Sequence, residues 1–150
     1  MAKKLVILGA GESGVGAALL AKQKGYEVFV SDGSAIKANF QKELEDGGIE
    51  FESGSHNVER ILAADEVMKS PGIPEKNEMV KAIRAKGIPV ISEIEFGYRY
   101  KGNSKIAAIT GSNGKTTTTS LLYHICKLVN EDVAMVGNIG YSFARQIAQA

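Results

Sequence analysis

The sequence predicts an α/β fold in two parts: a parallel sheet covered by helices, then the opening of a second, incomplete α/β unit. Three observations carry this expectation. Short apolar runs alternate with helical stretches that stop on glycine, beginning with Leu5–Leu8, a helix closed by Gly25, and Glu27–Ser31. Gly9-Ala-Gly11-Glu12-Ser13-Gly14 follows a strand, opens a helix, and has Asp32 at the end of the next strand. Gly111-Ser112-Asn113-Gly114-Lys115-Thr116-Thr117 repeats the strand–turn–helix pattern later in the chain. The first part therefore reads as Rossmann-like and the second as the truncated start of a P-loop ATPase domain.

The elements follow in order. Leu5–Leu8 is a continuous apolar run, as expected of a strand buried on both faces. The alanine-rich stretch Val15–Lys24 predicts a helix that packs closely on the sheet. Ile36–Asp46 reads as a helix closed by Gly47-Gly48, and Ile49–Glu52 as a short strand. Val58–Leu62 predicts one helical turn and Glu66–Lys69 a strand running into Ser70-Pro71-Gly72-Ile73-Pro74. Glu75–Lys86 is amphipathic, with Met79, Val80 and Ile83 inward and Lys76, Lys81 and Arg84 outward. Gly87 stops it, and Ile88–Ile91 is the next strand. Glu93–Tyr100 reads as helical and Lys101–Ser104 as a turn-rich break, so a domain boundary is placed within 92–104, dividing 1–93 from 94–150. Lys105–Ile109 predicts a strand, Ser120–Val129 a helix, Val133–Val136 a further strand, and Tyr141–Ala150 a helical start.

Ligands of parallel sheets bind beyond the carboxyl ends of the strands. Gly9–Gly14, Asp32-Gly33-Ser34 and Ser70-Pro71-Gly72 all fall at that edge. Glycines there let backbone N–H groups face an anion, and a helix N-terminus adds its positive end. Asp32 is placed to accept hydrogen bonds from ribose hydroxyls. Ser70 is placed either to bond a phosphate beside the N–H of Gly72 or simply to shape a Pro-Gly turn, and spacing leaves both readings open. In the second cradle Lys115 reaches terminal phosphates and Thr116 offers a hydroxyl to Mg²⁺. Ile109 departs from the full P-loop pattern, which wants glycine there. His56 lies in a polar loop without a ligand partner at metal spacing, which favours a surface or turn-bonded histidine. His124 falls on the polar face of its helix.

At 150 residues the chain is long enough for one domain plus a piece of another, and 44% hydrophobic with 23% charged residues fits a globular protein. A formal net charge of +1 points to neither nucleic acid nor membrane as partner. Cys126, the lone cysteine, stands among Leu122, Ile125 and Val129 and is expected to be a buried thiol. No h-region follows Met1 and no apolar run approaches a membrane span, so a reducing cytoplasmic location is expected. Two strands and two helices do not close a P-loop sheet, and no later strand brings a metal carboxylate. The chain therefore reads as part of a longer protein, with apolar surface of the second unit left open to self-association.

Taken together these residues resemble the Mur ligase family. The resemblance rests on Gly9–Gly14, Asp32, Ser70–Pro74, Gly87-Ile-Pro-Val-Ile-Ser-Glu93, Ala108–Thr119 and Gly137-Asn138-Ile139-Gly140, in family order along the whole chain. Thr110–Thr116 is specific to this ATP-using group, and Ser70–Pro74 points to its D-glutamate-adding branch. The resemblance implies a UDP-substrate site built from Glu12, Ser13, Gly14, Asp32, Gly33, Ser34, Ser70, Pro71, Gly72, Gly137 and Asn138. It implies ATP at Gly111–Thr117, Mg²⁺ on Thr116, and Lys115 as the catalytic charge at the phosphates. The implied substrates are UDP-N-acetylmuramoyl-L-alanine and D-glutamate, joined through an acyl phosphate during peptidoglycan precursor synthesis by a monomeric full-length enzyme. The logic is chemical: a carboxylate resists an amine until phosphate gives it a leaving group. This chain alone is expected to bind but not to ligate. Basic side chains that some members carry after the acidic residue are replaced here by Gly33-Ser34. The competing reading is an NAD-binding redox or sensor domain fused to a P-loop segment. It leaves the second cradle unexplained.

Overall fold

The computed structural model describes residues 1–129 and 132–150. Its centre is a five-stranded, all-parallel sheet formed by β1 (Lys4–Leu8), β2 (Glu27–Asp32), β3 (Glu50–Ser53), β4 (Glu66–Lys69) and β5 (Val90–Ile91), in the order β3-β2-β1-β4-β5. The helices are α1 (Glu12–Gln23), α2 (Ala38–Asp46), α3 (Val58–Ile61), α4 (Glu78–Ala85), α5 (Glu93–Tyr98), α6 (Lys115–Val129) and α7 (Phe143–Gln149).

Alternation along the strands divides the core in two. Leu5, Ile7, Val28, Val30, Met68 and Ile91 face one side, under α1, Leu44 of α2, Phe96 of α5 and Ala144 of α7. Val6, Leu8, Phe29 and Val67 face the other, under Ile61 of α3 and Val80 and Ile83 of α4. Both faces are apolar because helices cover both, which is why the strands read as unbroken hydrophobic runs. The chain moves from β1 outward to β2 and β3, then returns to place β4 on β1's other side. The strand order thus reverses at β1, where such sheets hold ligands.

The expected α/β architecture is present, with local corrections. Helix α1 begins at Glu12 rather than Val15, with Gly11 as its N-cap, so Gly14 lies inside the first turn. Helix α2 starts at Ala38 rather than Ile36, because Ile36 is buried under the sheet's edge instead. Helix α4 starts at Glu78 rather than Glu75: the Asn77 side chain accepts from the N–H of Met79 and caps it, after a turn back to Pro74. Strand β5 is only two residues long, and α5 stops at Tyr98.

The largest departures lie beyond residue 100. Lys105–Ile109 and Val133–Val136 are not strands; the second segment makes a single bridge, Val136 to Tyr141. A strand needs a run of hydrogen-bonded partners, and among the described residues the first segment has none and the second only that bridge. Helix α6 forms over 115–129, starting five residues before the expected Ser120, but buries none of its residues. Leu121, Ile125 and Leu128 are exposed, and Cys126 is half-buried rather than enclosed. His124 is exposed as expected. Helix α7 behaves differently. It packs on α1 and α5, so the end of the chain returns to the first sheet.

Candidate functional site

The three loops expected at one edge do meet there. Gly9, the first residue after β1, has φ +91 and lies against Ser70, whose Oγ donates to the Gly9 carbonyl at 3.3 Å. A side chain on Gly9 would begin 2.8 Å from that Oγ. Gly14 is needed for another reason: a Cβ there would stand 1.9 Å from the Gly9 carbonyl oxygen, so the loop closes on α1 only over glycine. Asp32 ties the second loop to the first. Its carboxylate accepts from the N–H of Ala10 at 2.7 Å and from the N–H of Ser34 at 2.8 Å. Ser13 is half-buried on the first turn of α1, while Gly33, Ser34, Pro71 and Gly72 are exposed around the rim. A hollow of about 140 Å³ beside Lys4, Phe29 and Arg60 lies at the opposite, amino end of the strands and does not serve these loops.

Glu12 departs from the expected grouping. Its carboxylate accepts from the backbone N–H of Ser142 at 3.0 Å and from Nε of Arg145 at 2.7 Å, both on or beside α7. Arg145 is 5% exposed and also pairs with Glu43 of α2. Burial alone would lower the Arg145 pKa, but Glu12 and Glu43 outweigh it and hold the guanidinium charged. Beside them, Glu93 accepts from the N–H of Ala144. Burial raises the Glu93 pKa, the Ala144 N–H opposes this, and the charge of Glu12 adds to it. Gly16 and Gly97 supply the close approach: a Cβ on Gly16 would stand 2.2 Å from Ser142 Oγ, and one on Gly97 2.9 Å from the Phe143 ring. Gly137 and Asn138 are exposed in the loop that enters this docked helix, with the Gly137 N–H bonded to the Tyr141 carbonyl at 3.0 Å.

The second cradle stands apart and in the open. Gly111 to Thr117 are all exposed, and α6 begins at Lys115 after Gly114. Lys115 Nζ donates to the Gly111 carbonyl, folding the lysine back over its own loop. Lys115, Thr116 and Thr117 of the first turn are exposed, so backbone N–H groups and a threonine hydroxyl of the kind that a phosphate and Mg²⁺ require are accessible there. Among the described residues no cluster of three or more His, Cys, Asp or Glu side chains could hold a metal by itself.

Sequence reasoning did not single out Arg145 or Glu93. Glu93 entered only as the end of the Gly87–Glu93 stretch, and Arg145 lay unremarked within the helical start at 141–150. No short-range pattern pairs them with Glu12 or Ala144 across the chain. His56 was expected to be a surface or turn-bonded histidine; it is half-buried, and its Nδ1 lies 2.6 Å from the Oγ of Ser31, a buried residue of β2 rather than of its own turn.

Comparison with known proteins bears on the same residues. The family description "Mur ligase MurD-like, N-terminal domain" matches residues 3–92, and "Mur ligase middle domain" matches 109–149. A UDP-N-acetylmuramoylalanine--D-glutamate ligase of Cytophaga hutchinsonii is 59% identical over 98% of this chain and 33% of that protein. The enzyme of the same name from Bacteroides fragilis is 56% identical, again over 98% of this chain and 33% of its own length. The chain thus spans about a third of the length of these curated relatives. Among solved structures, a murein peptide ligase from Psychrobacter arcticus superposes with a TM-score of 0.63 at 25% identity, over 85% of this chain and 27% of that one.

Proposed function

This chain belongs to the Mur ligase family, with a MurD-like N-terminal domain, and from that premise we propose that it supplies the UDP-substrate site and the ATP cradle of a ligase adding D-glutamate to UDP-N-acetylmuramoyl-L-alanine. The relatives of that name, 56% and 59% identical, support the substrate assignment. The observation that carries the reading is the convergence of Gly9–Gly14, Asp32–Ser34 and Ser70–Gly72, held together by the Ala10–Asp32 and Ser70–Gly9 bonds. In this reading residues 1–93 hold the nucleotide sugar and 94–150 begin the ATP-binding unit. The diphosphate faces the amino end of α1 around Ser13 and Gly14, and Asp32 takes the ribose. Glu12 acts indirectly, by tying α1 to the segment that carries Gly137 and Asn138.

Gly111–Thr117 holds ATP, and Thr116 with the phosphates holds Mg²⁺. Bound there, the ion would neutralise charge on the β- and γ-phosphates. Lys115 leaves the Gly111 carbonyl for the terminal phosphates, where its charge stabilises transfer of the γ-phosphoryl group to the substrate carboxylate. The resulting acyl phosphate is then open to the D-glutamate amine. No described helix is long and apolar enough to cross a membrane. A cytoplasmic, monomeric full-length enzyme in peptidoglycan precursor synthesis fits this chemistry.

Titration calorimetry on the whole 150-residue chain tests the reading. UDP-N-acetylmuramoyl-L-alanine should bind more tightly than NAD, and adding ATP, Mg²⁺ and D-glutamate should give no amide product. Most of the rate advantage is positional, and the exposed cradle encloses nothing. Tighter NAD binding would instead favour the redox or sensor reading.

A further inference from the structure

We propose that Lys69 is a positioning residue of the UDP site: its ammonium group holds the Ile73 carbonyl, and through it the setting of Ser70, Pro71 and Gly72. The inference rests on the reading of the Ser70–Gly72 loop as part of that site. Lys69 is the last residue of β4 and stands opposite Leu8 of β1, so alternation turns it toward the face that α3 and α4 cover. Its side chain is only 14% exposed. A lysine so enclosed needs partners for its charge, and Nζ has two. It donates to the Ile73 carbonyl at 2.7 Å and lies 3.4 Å from Glu75 Oε1.

The two partners are not equivalent. Glu75 is also held by Arg84, at 2.9 and 3.1 Å, and both of those side chains are open to solvent. Among the described residues no other donor bonds to the Ile73 carbonyl. The rest of the loop is tied through Ser70. Its N–H donates to the Leu8 carbonyl at 3.0 Å, its Oγ donates to the Gly9 carbonyl, and its own carbonyl accepts from the Ile73 N–H at 3.1 Å. Pro71 and Gly72 are exposed, and Pro71 borders a hollow of about 280 Å³ that Lys69, Val90, Ile91 and Ile94 also line. Packing does not fix the loop on that side; the ammonium group does. Pro71 and Pro74 restrict φ on either side of Gly72 and Ile73, so a shift of the Ile73 carbonyl is passed along the loop rather than absorbed. It would also reach the first loop, because Ile73 Cδ1 lies 3.4 Å from where a side chain on Gly9 would begin.

The competing role for Lys69 is purely structural, and substitutions separate the two. Lys69→Met keeps the length and the apolar stem but removes the charge, Lys69→Arg keeps a cation, and Glu75→Gln spares the Ile73 bond. Calorimetric titration of the 150-residue chain with UDP, well below the melting temperature of each variant, gives the readout. Lys69→Met should bind UDP about tenfold more weakly, the worth of one hydrogen bond from a charged group, and Lys69→Arg should recover most of the loss. Glu75→Gln should bind UDP as the wild type does, since an exposed ion pair contributes little. Lys69 acts through a carbonyl and not on the ligand, so the gap between the wild type and Lys69→Met should be the same at low and high salt. A gap that closes in high salt would mean direct contact with the diphosphate and would overturn the inference. So would a Lys69→Met chain that melts lower but binds UDP normally, or an equal loss of affinity in Glu75→Gln. Each of these leaves the UDP site standing, whereas failure of the wild-type chain to bind UDP would overturn both.

Discussion

Both oxygens of the Asp32 carboxylate already accept backbone N–H groups, from Ala10 and Ser34. The residue shapes two loops before it meets any ligand, and each oxygen keeps a lone pair for a ribose hydroxyl. Asp32→Ala should therefore do two measurable things. Leaving the Ala10 and Ser34 N–H groups without their charged acceptor should lower stability by about 1–3 kcal/mol, and UDP affinity should fall by a similar amount. Melting curves with and without saturating UDP separate the two losses; a variant that melts and binds like the wild type would make Asp32 a surface residue. At this scale the sequence was informative where a backbone demand selects the residue type. Gly9, Gly14 and Asp32 were legible because a turn, a close approach and a strand end each leave a mark at fixed spacing. Glu12 was misleading for the same reason: its place in the fingerprint suggested the ligand, while Ser142 and Arg145, more than a hundred residues away, claim its carboxylate.

Among the elements, β4 and the end of α5 are joined by a buried ion pair. Glu66 is 3% exposed and accepts two bonds from Arg99, at 2.8 and 2.9 Å, and one from Lys3 at 3.2 Å. Burial alone would raise the Glu66 pKa, but the bonds from Arg99 and Lys3 more than offset it and hold it below the ordinary 4.5. A carboxyl lowered in the fold is protonated first in the unfolded chain, so its stabilisation is complete above about pH 4.5 and drains away as pH falls through the folded value. Glu93, raised by burial, has the opposite sign and costs stability as it ionises. Comparing the wild type with Glu66→Gln isolates the first effect. Unfolding free energies from urea titration should differ by about 1.5–3 kcal/mol at pH 7, the range for hydrogen bonds to a charged group, and the gap should narrow as pH falls below about 4.5. A gap that stays constant with pH would assign the loss to packing. Strands and helices up to Tyr98 were legible from apolar runs and glycine stops, because each buries its own pattern within the first sheet. Their starting points were not, since Asn77 and Gly11 cap helices at positions that hydrophobic spacing does not mark. Lys105–Ile109 and Val133–Val136 carry strand-like composition without a run of partners to pair with, and composition does not report the partners.

Over the whole molecule, the chain leaves the first sheet after α5 and comes back to it at α7. Between them lie the exposed cradle and α6, which buries none of its residues. The return is fastened by Arg145 to Glu12 and Glu43, by Ala144 to Glu93, and by Gln23 to the Ala148 carbonyl at 2.9 Å. The architecture of the first sheet was legible from local pattern alone, whereas this long-range fastening was not. The consequence expected of it is that covalent continuity through the exposed stretch is dispensable to the assembly. Lys105 is exposed on a segment without secondary structure, the kind of place a protease reaches first. Brief trypsin treatment that cuts after Lys105 should yield two pieces that still elute together at the size of the intact chain and separate only in denaturant. Arg145→Ala should let them part under native conditions, since it leaves Glu12 and Glu43 without their shared cation. Pieces that separate at once from the wild-type chain would mean that α7 is held only by its peptide tether. If they stay together, the two segments synthesised as separate polypeptides should find each other and complement.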